Sequence, residues 1–190
     1  MKKLVLASSS QYRRQLLSRL QQPFECLSPD IDESQKPGEL PENMVKRLSE
    51  EKARALSSDF PHHLIIGSDQ VATLGSETLT KPGCYEAAFK QLKAQSGNRV
   101  RFLTGLALLN TEANHITVDM VTTDVAFRAL TDNEITRYLL VDKPYDCAGS
   151  FKSEGLGISL FEGIYGDDPT ALMGLPLIRL GKMLRAENYK

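Results

Sequence analysis

The sequence contains few of the residues that build disulfides or metal sites. Among its 190 residues are three cysteines, and Cys26, Cys84 and Cys147 are widely spaced with no C-x-x-C pair. This pattern predicts free thiols in a reducing cytosol and argues against a zinc site. We expect each cysteine to be a small buried apolar side chain. The three histidines lie near predicted turns and match no metal motif.

The sequence also lacks a strong net charge and a long apolar segment. The formal net charge is −1, so no overall positive field would attract nucleic acid. No run approaches the roughly 20 apolar residues that a membrane helix needs, and the N-terminus enters a strand without a signal-peptide pattern. We therefore expect a cytoplasmic protein that binds neither nucleic acid nor membrane, in which any anion site is a local cluster.

The composition, the length and the predicted elements indicate one folded domain. Apolar residues make up 41% and charged residues 25% of the chain, as in soluble globular proteins. The length suits a single domain over residues 1–190, with room for two lobes. Predicted helices and strands alternate, and strands 100–109 and 116–127 form a long antiparallel hairpin. The sequence therefore predicts an α/β or α+β fold around a mixed sheet.

The segment that follows the first strand has the features of an anion site. Leu4–Ala7 is a short apolar run typical of a buried strand, and Ser10 is a good N-cap for the helix that follows. Arg13 lies at the head of the apolar face of that helix, and Arg14 is its neighbour. A helix N-terminus with two guanidinium groups favours an anion such as phosphate. The alternative is an ordinary capped helix with both arginines in solvent.

Two later elements carry charged residues where apolar ones are expected. In the helix predicted over 40–58, the apolar stripe of Val45, Leu48, Ala55 and Leu56 is completed by Lys52, which must snorkel or meet an anion. In the strand 63–74, Asp69 and Gln70 interrupt an apolar run beside a glycine. This interruption indicates close approach of a ligand, and its alternative is a bulge.

Three loops add further candidates. The acidic loop 28–39 contains Glu33 and offers a metal site, unless it is only solvated. Lys81 lies at a turn. The glycine-rich loop 148–157 suits backbone wrapped on a ligand, or a flexible connector, and leads into a strand predicted over 158–161.

These candidates share the chemistry of phosphoryl transfer. Cations and a divalent metal stabilise charge on phosphate oxygens, and a carboxylate holds the metal or accepts a proton from water. The cations are Arg13, Arg14, Lys52 and Lys81, and the carboxylates are Glu33 and Asp69. A carboxylate among cations is a weak base, so we expect Asp69 to act together with the metal.

The same motifs resemble those of Maf-type nucleoside triphosphate pyrophosphatases. The segment A-S-S-S-Q-Y-R-R over residues 7–14 resembles the S-x-S-P-R-R signature of that family. It is followed in the family's order by Asp32-Glu33, Glu51-Lys52-Ala53, Gly67-Ser68-Asp69-Gln70 and Lys81-Pro82. The resemblance covers essentially the whole chain. Gln11 replaces the usual proline, which pre-sets the first helical turn, so the anion site is expected to be slightly looser.

The resemblance implies a fold, a reaction and a cofactor. The fold is that of Maf and inosine-triphosphatase-like enzymes, an elongated mixed sheet flanked by helices, with two lobes and a central cleft. The reaction is hydrolysis of a nucleoside triphosphate between the α and β phosphates, with a divalent cation (Mg²⁺, Mn²⁺ or Co²⁺). Asp69 matches the family's proton acceptor and, with Glu33, a metal position. The phosphate-contacting positions are matched by Ser8, Arg13, Arg14, Lys52 and Lys81.

A finer resemblance concerns the base. The branch that prefers 7-methyl-GTP has an aromatic residue before the two arginines, Gln after the catalytic Asp, and C-A-G-S-F-x-S-E-G later; this chain has Tyr12, Gln70 and residues 147–155 reading CAGSFKSEG. A 7-methylguanine ring is cationic, so an aromatic face gains a cation–π attraction on the order of 0.5–2 kcal/mol. Glu154 would accept hydrogen bonds from the guanine edge, and Gln70 would contact another edge or the sugar.

Other functions stay open at this point. The chain could instead belong to the dTTP and UTP branch of the family, or have a broad housecleaning activity on modified nucleotides. It could also be a non-catalytic nucleotide sensor that regulates septum formation, with which Maf proteins are associated by name. The partner in each case is a small-molecule nucleotide, and a homodimer is a further expectation from the resemblance.

Overall fold

The computed structural model describes residues 2–189, in which the chain forms seven strands, five α-helices and three short 3-10 helices. The strands are β1 (Lys3–Ala7), β2 (Phe24–Leu27), β3 (His63–Leu74), β4 (Glu77–Leu79), β5 (Arg99–Asn110), β6 (His115–Phe127) and β7 (Phe161–Tyr165). The α-helices are α1 (Gln11–Ser18), α2 (Pro41–Ala55), α3 (Tyr85–Gln95), α4 (Asp132–Asp142) and α5 (Leu177–Ala186). The 3-10 helices are Ala148–Ser150, Leu156–Leu160 and Ala171–Met173.

All seven strands belong to one mixed sheet. Its order is β2-β1-β3-β5-β6-β7, and β4 pairs with β3 outside this path. Strand β1 is parallel to both β2 and β3, with Ala7 opposite Gly67 in the β3 register. Strand β4 is antiparallel to β3, and β7 is antiparallel to β6. The predicted mixed α/β sheet is therefore confirmed, with β5 and β6 as neighbours and β2 at an edge.

Strand β1 is buried on both faces, because helices cover the sheet on each side. Leu4 and Leu6 belong to an apolar cluster that includes residues of α1 and α5, whereas Val5 and Ala7 belong to a second cluster with residues of α2. This alternation is the two-residue period of a strand. It explains why the sequence shows a continuous apolar run.

Two strand glycines let α2 pack directly on the sheet. A Cβ atom at Gly67 of β3 would overlap the backbone carbonyl of Ser49, and one at Gly105 of β5 would overlap that of Val45. Glycine is therefore required at both positions by the close approach of the helix backbone. The consequence for function is that Lys52, one turn beyond Ser49, comes beside the polar part of β3.

The chain divides into two compact units, each with its own core. The first contains the residues up to Gln70, 103–121, and the residues from Asp168 onward; the second contains Val71–Phe102 and Thr122–Asp167. The core of the second unit includes a cluster of edge-to-face phenylalanines. The rings of Phe102, Phe127, Phe151 and Phe161 lie with centroids 4.9–5.5 Å apart. Two units correspond to the two predicted lobes, while the predicted cleft stays a prediction.

Two local predictions are wrong. The strand predicted over 158–161 is largely the 3-10 helix Leu156–Leu160, because the backbone of Gly157 turns to donate to Asp142 Oδ2 at 3.2 Å. Strand β7 begins only at Phe161. On α2, Ala53 is buried and Ala55 is exposed.

The predicted burial of the cysteines is also wrong. Cys26 and Cys84 are exposed, and Cys147 is half-buried. Strand β2 is an edge strand with three exposed positions, which leaves Cys26 at the surface. All three are free thiols, as predicted. No helix among residues 2–189 is long and apolar enough to cross a membrane.

Candidate active site

The turn between β1 and α1 is ordered by two serine hydroxyls. Ser10 caps α1, and its Oγ accepts from the backbone N–H of Arg13 at 3.4 Å. The nearly buried Ser8 Oγ accepts from the Ser10 N–H at 3.1 Å and from Arg13 Nη1 at 3.4 Å. The predicted N-cap is confirmed, and the helix N-terminus and Arg13 are held together before any anion arrives.

Arg13 is anchored from the other side by the C-terminal segment. Its Nε donates to the carbonyl oxygen of Gly174 at 2.9 Å, and the buried Ser68 hydroxyl lies 2.8 Å from the same oxygen. Gly174 has a φ of 95°, and a Cβ atom there would lie 3.2 Å from Arg13 Nε. Because Nε is committed to this carbonyl, the outer edge of the guanidinium is the part that can meet a ligand.

The electrostatic environment of Arg13 contains both candidate carboxylates. Burial lowers the pKa of the Arg13 guanidinium below its ordinary value, and the charges of Asp69 and Glu33 act in the opposite direction. Arg14 is exposed. Burial raises the pKa of the nearby Cys26 thiol above its ordinary value, and the charge of Arg14 acts in the opposite direction. Tyr12 is half-buried in the same helical turn. The two arginines are therefore not equivalent, since Arg13 is fixed and Arg14 lies at the surface.

Lys52 lies between the two predicted carboxylates. Its Nζ is 2.7 Å from Asp69 Oδ1 and 3.1 Å from Glu33 Oε1. The side chains of Lys52 and Asp69 are 6% and 10% exposed, whereas that of Glu33 is 59% exposed. A buried ammonium is tolerated because it is paired. The structure thus brings Lys52, Asp69 and Glu33 together from a helix, a strand and a loop.

The carboxylate oxygens of this arrangement are suitable donors for a divalent cation. One oxygen of Asp69 and one of Glu33 lie beside Lys52 Nζ, and oxygen donors are those that Mg²⁺ and Mn²⁺ prefer. Mg²⁺ is commonly held by one or two carboxylates together with substrate phosphates. Among residues 2–189 no group of three or more His, Cys, Asp or Glu side chains could hold a metal by itself. The donor set therefore suits a metal that binds together with a nucleotide.

Gln70 uses its amide group as a structural donor. Its Nε2 donates to Thr104 Oγ1 at 2.9 Å and to the carbonyl oxygens of Ala171 and Leu172 at 2.9 and 3.2 Å. Two carbonyl partners fix the amide orientation, because only the NH₂ group can donate to them. A contact between Gln70 and a nucleotide would therefore use Oε1.

The C-terminal segment that holds Arg13 and Gln70 is itself tightly bonded. The buried Asp168 accepts from the backbone N–H groups of Ile178 and Arg179 at 2.8 and 3.2 Å, at the start of α5. The Thr170 hydroxyl donates to Asp168 Oδ1 at 2.7 Å. Sequence reasoning missed this role of residues 168–174. The available signals are a doubled acid before proline, typical of a turn, and the Gly-Leu-Pro that opens the last helix, and neither indicates a contact with Arg13 or Gln70.

The two remaining predicted residues belong to the second unit. Lys81 is exposed in the connection between β4 and α3, and Glu154 is exposed with Ser153 Oγ at 3.4 Å. The loop before Glu154 is anchored to α3. Ser150 Oγ donates to Gln91 Oε1 at 2.6 Å, and Gln95 Nε2 donates to the Gly149 carbonyl at 2.9 Å.

Comparison with known proteins identifies the family of this chain. The family described as Maf-like protein matches residues 3–187. The chain belongs to the Maf family. Two similar curated proteins, each named 7-methyl-GTP pyrophosphatase, come from Pseudomonas fluorescens strains Pf-5 and Pf0-1. They are 60% and 59% identical to this chain over 187 residues, which is 98% of this chain and 97% of theirs.

The fold of this Maf chain is also found in solved structures. A HAM1 protein from Coxiella burnetii superposes with a TM-score of 0.55 at 15% identity, covering 98% of this chain and 100% of that one. At this identity the likeness shows the fold alone. It confirms the fold class expected from the sequence.

Proposed function

We propose that this chain hydrolyses 7-methyl-GTP between its α and β phosphates, releasing 7-methyl-GMP and pyrophosphate. The observation that carries the proposal is the pairing of Lys52 with Asp69 and Glu33 in the same unit as the anchored Arg13. The name of the 60% identical relative supports both the reaction and the substrate. The site combines anchored cations with carboxylates, as phosphoanhydride hydrolysis requires.

The phosphate chain would be bound by groups of the β1–α1 turn and by two lysines. Arg13 offers its outer N–H groups, and Ser8 and the helix N-terminus add neutral donors. Arg14 and Lys81 would add charge from the surface. Lys52 is already balanced by two carboxylates, so its own charge is not enough for a triphosphate. That balance supports a requirement for a divalent cation held by Asp69 and Glu33.

Asp69 would orient and deprotonate the attacking water. A bound Mg²⁺, Mn²⁺ or Co²⁺ supplies neutralisation of phosphate charge and makes the attacking water more acidic. Lys52 holds Asp69 Oδ1, which fixes the carboxylate for either task.

The 7-methylguanine ring of the nucleotide would be recognised by a separate set of residues. Tyr12 offers an aromatic face for a cationic 7-methylguanine. Glu154 would accept hydrogen bonds from the N1–H and the exocyclic amine, and Gln70 would contribute Oε1. The exposure of Glu154 supports this role, because its carboxylate is available to a ligand.

The test is pyrophosphate release from 7-methyl-GTP, GTP, dTTP and UTP, each with and without Mg²⁺, Mn²⁺ or Co²⁺. We expect metal-dependent release with a clear preference for 7-methyl-GTP. A preference for dTTP or UTP would keep the phosphate site and contradict the roles of Tyr12, Gln70 and Glu154. Nucleotide binding without release would instead favour a nucleotide sensor.

Two expectations accompany this function. The three free thiols support a reducing, cytoplasmic location, in which a free nucleotide would be the substrate. Neither nucleic acid nor a membrane is expected as a partner. A homodimer stays a prediction, which sedimentation velocity of the purified protein would check.

A further inference from the structure

We propose that Arg47 is a positioning residue that fixes the loop 28–40 so that Glu33 reaches Lys52. This inference rests on the role of Glu33 in the proposed function. Arg47 lies on α2 and contacts neither Lys52 nor Asp69 in any of its hydrogen bonds. It acts instead through Glu39 and the backbone of Ser34.

The link between Arg47 and Glu39 is a two-pronged ion pair. Arg47 Nε is 2.6 Å from Glu39 Oε1, and Arg47 Nη2 is 2.7 Å from Glu39 Oε2. The side chains are 16% and 9% exposed, so solvent screens this pair less than an ordinary surface pair. The hydrogen bond from Arg47 lowers the pKa of Glu39 to about 2, so the pair is charged at neutral pH.

The same guanidinium also holds the residue that follows Glu33. Arg47 Nη2 donates to the Ser34 carbonyl oxygen at 3.1 Å. Around it the loop is closed on itself, since Glu39 Oε2 accepts from the Lys36 N–H at 3.0 Å and the Glu39 carbonyl accepts from Gln35 Nε2 at 2.7 Å. Arg47 thus attaches this part of the loop to α2, together with the longer ion pair of Lys36 Nζ with Glu51 Oε1 at 3.6 Å.

Glu33 needs this attachment because its own contact is weak. The side chain is 59% exposed and its ion pair is with Lys52 at 3.1 Å. One half-exposed ion pair contributes little, while ordering a loop costs conformational entropy at each residue. Without Arg47, residues 28–40 would sample other conformations, and Glu33 would reach Lys52 only part of the time.

The alternative is that Arg47 only stabilises α2. Its contact with Glu51 at 2.9 Å is an ordinary i,i+4 pair of that helix. Arg54 and Glu50 form a matched i,i+4 pair at 2.7 Å within the same helix. Arg54→Gln is therefore the control for helix stabilisation alone.

The test is a double-mutant cycle of Arg47→Gln and Glu33→Gln. Because supporting partners of ligand residues typically change function 10- to 100-fold, we expect Arg47→Gln to lower kcat/KM for 7-methyl-GTP by about 10- to 100-fold. In the Glu33→Gln background the same change should cost less than about twofold, because Arg47 acts through Glu33. Arg54→Gln should leave kcat/KM unchanged.

Two further measurements separate positioning from damage. Hydrogen exchange of the amides of residues 32–36 should accelerate in Arg47→Gln and in Glu39→Gln, but not in Arg54→Gln. Mn²⁺ affinity, measured by electron paramagnetic resonance in the presence of GMP, should fall in Arg47→Gln and fall no further in the double variant than in Glu33→Gln.

Each outcome decides between the inference and its alternatives. Additive losses in the cycle would overturn the positioning role, as would faster loop exchange with unchanged kcat/KM and unchanged Mn²⁺ affinity. If the unmodified protein releases no pyrophosphate, the proposed function fails. The Mn²⁺ cycle would then still confirm or overturn the link from Arg47 to Glu33.

Discussion

The two candidate regions of this protein are built in different ways. In the first unit, the functional side chains are bonded to one another and to the backbone, as with Arg13 on Gly174 and Lys52 on Asp69. In the second unit, the residues that precede the candidate side chain Glu154 are anchored instead. Gln91, Gln95 and Phe151 fix residues 148–151, and Glu154, three residues further along the chain, is exposed to solvent.

The difference separates the proposed phosphate-site residues Arg13, Lys52 and Asp69 from the proposed base-recognition residue Glu154. A phosphate site needs charges held at fixed positions, because reorganising them during the reaction would cost free energy. A residue that recognises the nucleotide base needs only to lie within reach of it. Such a residue can be substituted without breaking a hydrogen-bond network of the protein. We therefore expect substitutions of Arg13, Lys52 or Asp69 to affect all substrates and to disturb the fold, and substitutions at Glu154 to affect one substrate class.

The largest effect is expected for Asp69→Asn. The amide oxygen can still accept from Lys52, so the shape of the site is kept while the negative charge is lost. General-base and metal-binding roles typically contribute about 100- to 10,000-fold, and kcat should fall by that factor for every nucleotide. Pyrophosphate release at saturating metal and nucleotide measures it.

The matched control is Asp124→Asn in the second unit. Asp124 is also a carboxylate in an ion pair, with Arg101 Nε at 2.9 Å, and it belongs to none of the candidate sites. Its variant should retain kcat. Near-full turnover in Asp69→Asn would contradict both the base and the metal role.

A smaller, selective effect is expected for Glu154→Gln. The variant keeps the size of the side chain and removes the charge that would strengthen two hydrogen bonds to a cationic guanine. Because a hydrogen bond to a charged group is worth about 1.5–3 kcal/mol, kcat/KM for 7-methyl-GTP should fall about 10- to 100-fold, and that for UTP much less. Parallel assays on the two nucleotides give the ratio.

Glu162→Gln serves as the comparison for that change. Glu162 is an exposed carboxylate on β7 of the same unit. Its substitution should leave the ratio of the two substrates unchanged. Equal losses on 7-methyl-GTP and UTP in Glu154→Gln would remove the distinction between the two regions.

A third prediction tests whether Arg13 in the first unit depends on its hydrogen bond to the Gly174 carbonyl. In Gly174→Ala, a Cβ atom would enter a left-handed backbone position 3.2 Å from Arg13 Nε. Strain of this kind costs about 1–3 kcal/mol, so the free energy of unfolding should fall by that amount and KM should rise for every nucleotide as Arg13 shifts. Urea unfolding and steady-state kinetics measure the two parts.

Gly75→Ala isolates the cost of backbone strain in that experiment. Gly75 also has a positive φ, of 60°, but no atom lies within 4 Å of its Cβ position. We expect a loss of stability without a change in KM. A Gly174→Ala variant with an unchanged KM would show that Arg13 does not depend on this carbonyl.

Sequence patterns were sufficient for the features that depend on local chemistry. The N-cap Ser10 and the capping box of Thr131 and Glu134 follow from short motifs, and both are present. The inward position of Lys52 follows from helical periodicity, and the residue is buried. Buried parallel strands produce continuous apolar runs, which located β1 and β3.

What the patterns missed depends on contacts between distant residues. The carbonyl of Gly174 meets Arg13 across 161 positions, and backbone carbonyls leave no mark in the sequence. The donor role of Gln70 was missed for the same reason, since its acceptors are main-chain oxygens. The charges of Arg47 and Glu39 were visible, but ordinary solvated residues look the same until a fold brings them together.

The smallest effect concerns acid stability, where each unit holds one strongly perturbed carboxylate. The hydrogen bond from Arg47 lowers the pKa of Glu39 to about 2, and the backbone N–H of Thr131 is the main cause of a similar value at Glu134. Both values lie below the usual 4.5, so each group stabilises the fold above pH 4.5 and loses that contribution as the pH falls toward 2. Urea unfolding at pH 6 and pH 3 should show a smaller decrease in Glu39→Gln and in Glu134→Gln than in the parent. A change in Glu39→Gln alone would mean that only the first unit is held by its charges, which would sharpen the contrast between the two regions.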